Sequence, residues 1–525
     1  MYRSPLKSSQ YTQIKTLKPR LKFCVSCRVK LIFKYKQDVK TVFCLDRTLL
    51  VTRWAYKCPS SNCKKYGKSI LAARMGLKNH SVGYDLLAEI GFQRVNEKKT
   101  LLNIQKYLLD EFGIKISEKQ ISNLADKYLQ LIGNKVHETD LENLRSRGNV
   151  VISIDGVCPQ KANTTLYLIR EVVSGKILLA RVIVNSATQY IAALYYEIKE
   201  MGLPIVGIIS DKQASLRLGA REVFPEIPHQ YCQFHYLRNI SKDFEDNDRR
   251  LRKDIRKAFR GIYNTTKTMD VHVKKGDCNG KEYEKLKELF EILKASSRIS
   301  PHYPFKAVGI QLYRHVIIFE KAIKIMKKKS DLMVLKTIAD HLSAIISNFE
   351  AEYKLRNKQD QEIRKIAKLL KSKYSREDAE KQFSAYVSSI RKSKGLKEWV
   401  IDVQKQTKAW IGGLFAFANN ANIPRTNNAL EQYIRMIKGD FTRILNRKFI
   451  HRFFLRRSEF WVFARELNVP SENIQILQNC KNGELICSKQ RFEELSLHFR
   501  LERGCVKNFK KMVAGVVKDW ILELD

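Results

Sequence analysis

Asp155 closes the apolar run VVISID, and Asp211 closes PIVGIISD. A carboxylate at the end of a buried strand is costly unless solvent, a cation or a metal takes up its charge. Taken singly, each is more often a turn or cap residue. If the two strands are neighbours, the pair presents hard oxygen ligands suited to Mg(II) or Mn(II), with positions left open for phosphate and water. Two such ions about 3.5–4 Å apart stabilise both the attacking and the leaving oxygen of a phosphodiester. A third carboxylate commonly completes the cage. Glu431, in NNALEQYIRM, has two readings: a residue at N3 of a helix capped by Asn428, or that third ligand.

The spacing around Glu431 bears on the choice. Leu430, Ile434, Ile437 and Phe441 define a buried helix face, and Glu431, Arg435, Lys438 and Thr442 run along the face beside it. One acid and two cations on a shared stripe suit metal and phosphate together. Asp440 and Glu459 are rival third acids: Asp440 follows Gly439, where the helix could end, and Glu459 sits among arginines as an ion-pair partner.

A second metal chemistry is written in the cysteines. Cys24 and Cys27 form C-x2-C and Cys58 and Cys63 form C-x4-C, separated by β-type runs. Four thiolates satisfy a tetrahedral Zn(II), so 23–70 reads as a zinc ribbon, with unconnected buried cysteines as the plain alternative. Cys44 is a spare or substitute ligand.

The elements that must position these groups follow from periodicity. TLLNIQKYLLDEF places Leu101, Ile104, Tyr107 and Leu108 on one helical face; Gly113 ends that helix, and Ser117 with Gln120 forms a capping box for the next. Residues 80–135 thus read as a helix-turn-helix whose second helix offers Lys119, Gln120 and Asn123 to DNA bases, against the plain alternative of a helical hairpin. From 148 to 240 the texture becomes strand, hairpin, helix, strand, helix. From 241 to 420 long Lys-rich amphipathic stretches replace the strands, too large for a loop and readable as an all-α insertion. Phe453, Phe454, Phe460, Trp461 and Phe463, among Arg452, Arg456 and Arg457, read first as core packing and second as base-stacking groups.

Composition sets the partner class. The 525 residues carry 97 Lys plus Arg against 54 Asp plus Glu, a formal charge of +43. Such an excess calls for a polyanion, nucleic acid before membrane. The N-terminus lacks the apolar core of a secretory signal, and no run approaches the roughly 20 apolar residues that span a bilayer. The expectation is a protein working inside the cell, in the cytoplasm and nucleoid of a prokaryote or the nucleus of a eukaryote, with no membrane partner.

The stretches SIDGV…LYLIREVVSGKIL and IISDKQASLRLGAREVFPEIPHQYCQFHYLRN, with RTNNALEQYIRMIKGDFTR further on, resemble DDE transposases of the Mutator-like and insertion-sequence branch. The resemblance implies a ribonuclease H-like α/β core, interrupted by the helical insertion and completed over 421–468. It assigns Asp155, Asp211 and Glu431 to a two-metal catalytic triad using Mg(II) or Mn(II). Cys232 and His235, its C-x2-H pair, lie near the active site, where a structural role is preferred to zinc binding. Arg435, Lys438 and Arg443 are implied to bind DNA. The implied partner is double-stranded DNA, both element ends and target, handled by a homodimer or larger assembly. Residues 1–22, a basic tail, and 469–525 stay without a role. The alternatives are a domesticated DNA-binding descendant without catalysis, or another ribonuclease H-like nuclease.

Overall fold

The computed structural model describes residues 13–77, 80–158, 164–274, 280–303, 305–330, 333–371, 374–446, 450–480 and 484–497. The chain is mixed α/β with a large helical part. It divides into two compact units, residues 1–204 with 429–525, and residues 205–428.

The first unit opens with β1 (Gln13–Leu17), β2 (Ile32–Phe43), β3 (Thr48–Lys57) and β4 (Ser69–Leu71). β3 is central: β2 and β4 run antiparallel to it, and β1 runs parallel. Alternation explains its position, because Leu49, Val51, Arg53 and Ala55 point to the buried face. Arg53 tolerates burial by donating to the Ala72 carbonyl (2.6 Å) and Asp38 (3.0 Å). Within the basic stretch 1–22, Gln13–Leu17 forms a strand; residues 1–12 lie outside the described residues.

Four helices follow: α1 (Tyr84–Val95), α2 (Leu101–Phe112), α3 (Glu118–Ile132) and α4 (Glu138–Arg147). Gly113 ends α2 at φ +64°, a left-handed conformation glycine adopts without a Cβ penalty. Ser117 and Gln120 form the capping box of α3. Ile104 and Leu108 of α2 are fully buried, with Ile121, Leu124 and Tyr128 of α3 in the same core. Gly91 on α1 lies under the Tyr128 ring, where a Cβ would fall 2.3 Å from the ring, so α1 and α3 cross closely only because residue 91 has no side chain.

β5 (Val150–Val157), β6 (Thr165–Glu171) and β7 (Ile177–Ile183) form an antiparallel meander, followed by α5 (Thr188–Glu200). β5 is buried along Val150–Ile154, as its near-continuous apolar run requires.

In the second unit β8 (Ile205–Ser210) connects through α6 (Ala214–Val223) to β9 (His229–Tyr231), which runs parallel to β8. Helices occupy the rest: α7 (Gln233–Lys274), α8 (Gly280–Ser296), α9 (Val308–Lys327), α10 (Met333–Leu369), α11 (Arg376–Ser389) and α12 (Lys397–Leu414). Among the described residues, two large apolar cores lie in this unit. One joins the start of α7, the end of α10, α11 and α12 around Tyr236, Phe383 and Trp410. The other joins the middle of α7, α8, α9 and the start of α10 around Phe259, Phe290 and Tyr313. α7 and α10 thus run through both.

The chain ends in the first unit with α13 (Asn428–Leu445), α14 (His451–Arg465) and α15 (Pro470–Asn479). Leu430, Ile434, Ile437 and Phe441 are buried, as their spacing predicts. Phe441 packs against Phe454 and Trp461, with ring centroids 5.0 and 4.7 Å apart. Phe454, Phe460, Trp461 and Phe463 all lie in the core shared with α1–α3, each worth about 1.5–3 kcal/mol of burial. They are packing residues. Among the described residues no helix is long and apolar enough to cross a membrane.

Candidate functional site

Asp155 sits near the end of β5, just past the buried stretch, and its Oδ1 accepts the Gly156 amide at 2.8 Å. Opposite it on β6 stands Leu168, and opposite Ser153 stands Arg170. Residues two apart on a strand share a face, as do cross-strand partners, so Ser153, Asp155, Leu168 and Arg170 leave the sheet on one side. Arg170 reaches from that side to the first turn of α13: its Nη1 donates to the Ala429 carbonyl at 3.2 Å, and its guanidinium lies 5.4 Å from the Tyr433 ring centre. Glu431 falls between those two contacts. The sheet face that carries Asp155 is therefore the face on which the Glu431 helix begins.

α13 starts at Asn428, so Glu431 stands one residue deeper in the helix than an Asn428 cap would place it. Arg435 and Arg443 are exposed and Lys438 is half-buried, on the stripe beside the apolar face.

The rival acids have other occupations. Glu459 is fully buried and saturated: its oxygens accept from Val182 N (2.6 Å), Arg491 Nη2 (2.6 Å) and Nε (3.0 Å), and Asn134 Nδ2 (3.2 Å). Its partner is Arg491, not the neighbouring arginines; Arg456 and Arg457 pair with Asp126 instead. Asp440 bonds Arg465 and, at 3.4 Å, Lys98. Burial raises its carboxyl above the usual range against the pull of those cations. Both acids hold the core together.

In the second unit Asp211 follows β8, half-buried, and its Oδ1 accepts the Gln213 amide at 3.0 Å in an Asx-type turn before α6. Ser210, fully buried, contacts His229 Nε2 at 2.8 Å. Cys232 is also fully buried: its amide donates to Ser210 O (2.8 Å), and its Sγ accepts from the Asn427 amide (3.3 Å). Cys232 thereby ties the segment before α7 to the segment before α13. His235, half-buried, lies one turn into α7.

The zinc reading gains geometry. The thiols of Cys24, Cys27, Cys58 and Cys63 lie within 4.8 Å of one another, with Cys24 to Cys63 at 3.7 Å and Cys27 to Cys58 at 3.5 Å. Four thiolates about 2.3 Å from a tetrahedral zinc have edges of about 3.8 Å, so the donor set fits the ion. Tight backbone knuckles present them: Arg28 takes φ +60° after the first pair, and the Lys65 amide donates to Cys63 Sγ at 3.3 Å. Backbone amides of Cys27 and Ser26 hold the Cys24 thiol down at about 6. Cys44 lies outside this four-cysteine group. It packs with Val42, Leu49 and Val51, and burial followed by the neighbouring Asp85 pushes its thiol up to about 12.

On α3, Lys119 and Asn123 are exposed one turn apart. Gln120 Oε1 accepts from the Ser117 amide and hydroxyl, both at 3.1 Å, within the capping box of α3.

Residues 176–321 match the family model described as "Transposase, Mutator family". The match runs from the start of β7 into α9 and takes in Asp211, Cys232 and His235. Asp155 and Glu431 lie outside it. The resemblance to Mutator-like transposases therefore holds over this segment. Among solved structures the chain is similar to "Drosophila P element transposase strand transfer complex", at TM-score 0.35 and 11% identity, over 74% of this chain and 93% of that one. No curated protein matches the chain in sequence.

Proposed function

We propose that this chain, which carries a Mutator-family transposase domain over 176–321, is a DNA transposase that binds the terminal sequences of a mobile element and cuts and joins DNA at a metal site held by Asp155, Asp211 and Glu431. The observation that carries the reading is Asp211, which lies inside the matched segment and directly follows a buried strand, while Asp155 stands just past the buried stretch of another.

Two Mg(II) or Mn(II) ions, when bound, supply activation of water and stabilisation of the leaving oxygen. The chain's own residues do the rest. The three carboxylates provide hard oxygen donors; the amide bonds to Asp155 and Asp211 fix which way each carboxylate faces. Arg435, Lys438 and Arg443 are placed along α13 to neutralise phosphates beside Glu431. The phosphodiester is cut by water, and the freed 3′-hydroxyl is the nucleophile for joining, so no protein nucleophile is needed. The core around Asp155 and Asp211 is read as ribonuclease H-like. Cys24, Cys27, Cys58 and Cys63 would hold a structural Zn(II), and Lys119, Gln120 and Asn123 of α3 would enter the major groove. Cleavage at two ends implies at least a dimer on DNA.

The test is cleavage of a duplex bearing the element's ends, with Mg(II) or Mn(II), by the native protein and by Glu431→Ala. Cleavage by the native protein alone is expected. Equal cleavage by both removes Glu431 from the site, and tight binding of the ends without any nicking by the native protein favours a domesticated DNA binder.

A further inference from the structure

The helical unit contains a groove of about 540 Å³ between the middle of α7 and the end of α8. Among the described residues its lining includes no acidic one, and all but Phe259 and Ser297 are lysine or arginine. Phe259 is 1% exposed and turned into the core, so the groove offers cations and almost no apolar surface.

Those cations fall into two groups. Arg249 pairs with Glu245 and Asp246 on its own helix, Lys257 with Asp254, and Lys294 with Glu291. Arg252 donates twice to the Ser297 carbonyl, at 2.7 and 3.0 Å, and so ties α7 to the end of α8. Lys253, Arg256, Arg260 and Arg298 have no hydrogen bond or ion pair with a side chain among the described residues, and the first three are exposed on successive turns of one face of α7. Four uncompensated cations in one concave surface repel one another, a cost that nothing in the helical packing returns; a polyanion removes it.

We infer that this groove grips the phosphate backbone of duplex DNA without reading its sequence. The inference rests on the proposed transposase function and adds the surface that would hold DNA away from the terminal sequence. Lys253 to Arg260 spans about 10 Å of helix at 1.5 Å per residue. Phosphates recur about every 3.4 Å of axis along one strand, so the stripe matches about three of them, with Arg298 beside it. Guanidinium forks bond phosphate oxygens bidentately. The lining holds cations and no amide or carboxylate side chain, a set suited to the phosphate contacts that position a protein without carrying sequence information, so the contact serves flanking or target DNA of any sequence.

The test measures binding of the full chain to duplexes of arbitrary sequence as salt is varied. One variant combines Lys253→Ala, Arg256→Ala, Arg260→Ala and Arg298→Ala. A charge-matched control combines Lys381→Ala, Lys392→Ala, Lys405→Ala and Lys408→Ala, exposed lysines elsewhere in the same unit. Loss of about four phosphate contacts lowers the salt slope of log affinity by about 3–4 in the groove variant and much less in the control. Preference for the element's ends over random duplex stays as in the native protein. An unchanged slope in the groove variant, an equal fall in the control, or a loss confined to phosphatidylserine vesicles overturns the inference while leaving the transposase reading intact. A native protein that binds no duplex at all overturns both.

Discussion

Arg170 Nη1 donates to the carbonyl of Ala429 at 3.2 Å and so fastens the first turn of α13 to the sheet face that carries Asp155. The same guanidinium donates through Nε to Gly175 O at 2.6 Å, which holds the β6–β7 turn and leaves the side chain little freedom.

Replacing Arg170 with alanine is expected to cost about 1.5–3 kcal/mol of stability, the usual worth of a charge-assisted hydrogen bond. Metal-dependent cleavage is expected to fall on the order of a hundredfold through misplacement of Glu431, while binding of terminal DNA is kept. Denaturant unfolding and a nicking assay check both. Native cleavage rates in a folded Arg170→Ala protein would show that the Arg170 contact does not position the site.

Glu459 and Asp440 are expected to separate from Glu431 in kind. Glu459→Ala leaves Arg491 and the Val182 amide without their acceptor, and removing one partner of a buried pair costs about 3–5 kcal/mol. Urea midpoints should therefore drop sharply for Glu459→Ala, and Asp440→Asn should lower them less, because asparagine keeps an amide oxygen that can accept from Arg465. Glu431→Gln should unfold like the native protein and yet not cut. A stable, inactive Glu459→Ala would reopen its candidacy as a metal ligand.

Zinc analysis of the purified chain should find one ion per chain, lost on Cys58→Ser. Because four thiolates supply much of the folding energy of so small a lobe, that variant should lose ordered structure around 23–70 and its preference for the element's ends. Cys44→Ser should retain the ion. Full zinc content in Cys58→Ser would rule out the four-cysteine site.

His229 supplies a pH signature. Burial, followed by the positive charge of Arg217, holds its imidazole down at about 4. The ordinary value is about 6.5, so the fold favours the neutral ring. Its contribution is complete above about 6.5 and is lost as the pH falls through about 4, amounting to roughly 3 kcal/mol. Unfolding free energies measured across that window should fall less steeply for His229→Gln than for the native protein. Identical slopes would mean that His229 does not titrate in this way.

What the sequence discloses here is what local chemistry decides. The capping box at Ser117, the glycine end of α2, the apolar stripe of α13 and the grouping of Cys24, Cys27, Cys58 and Cys63 each depend on residues close together or on a spacing one ion imposes. Strand-end acids are legible too, since apolar runs expose their closing residue. Partnerships across long stretches of chain are not. Nothing near Glu459 announces Arg491, Arg170 is one arginine among many until Ala429 is beside it, and Gln13–Leu17 is a basic stretch until β3 pairs with it.

The core of the first unit draws side chains from Leu77–Val182 and again from Leu430–Leu495. On a ribosome adding about 5–20 residues per second, roughly 250 residues separate those two contributions, so the early apolar faces wait about 12–50 s for their partners. The nascent chain must carry that exposed surface while the helical unit is made, which makes its synthesis dependent on chaperone capacity in a way that a contiguous domain of the same size would avoid.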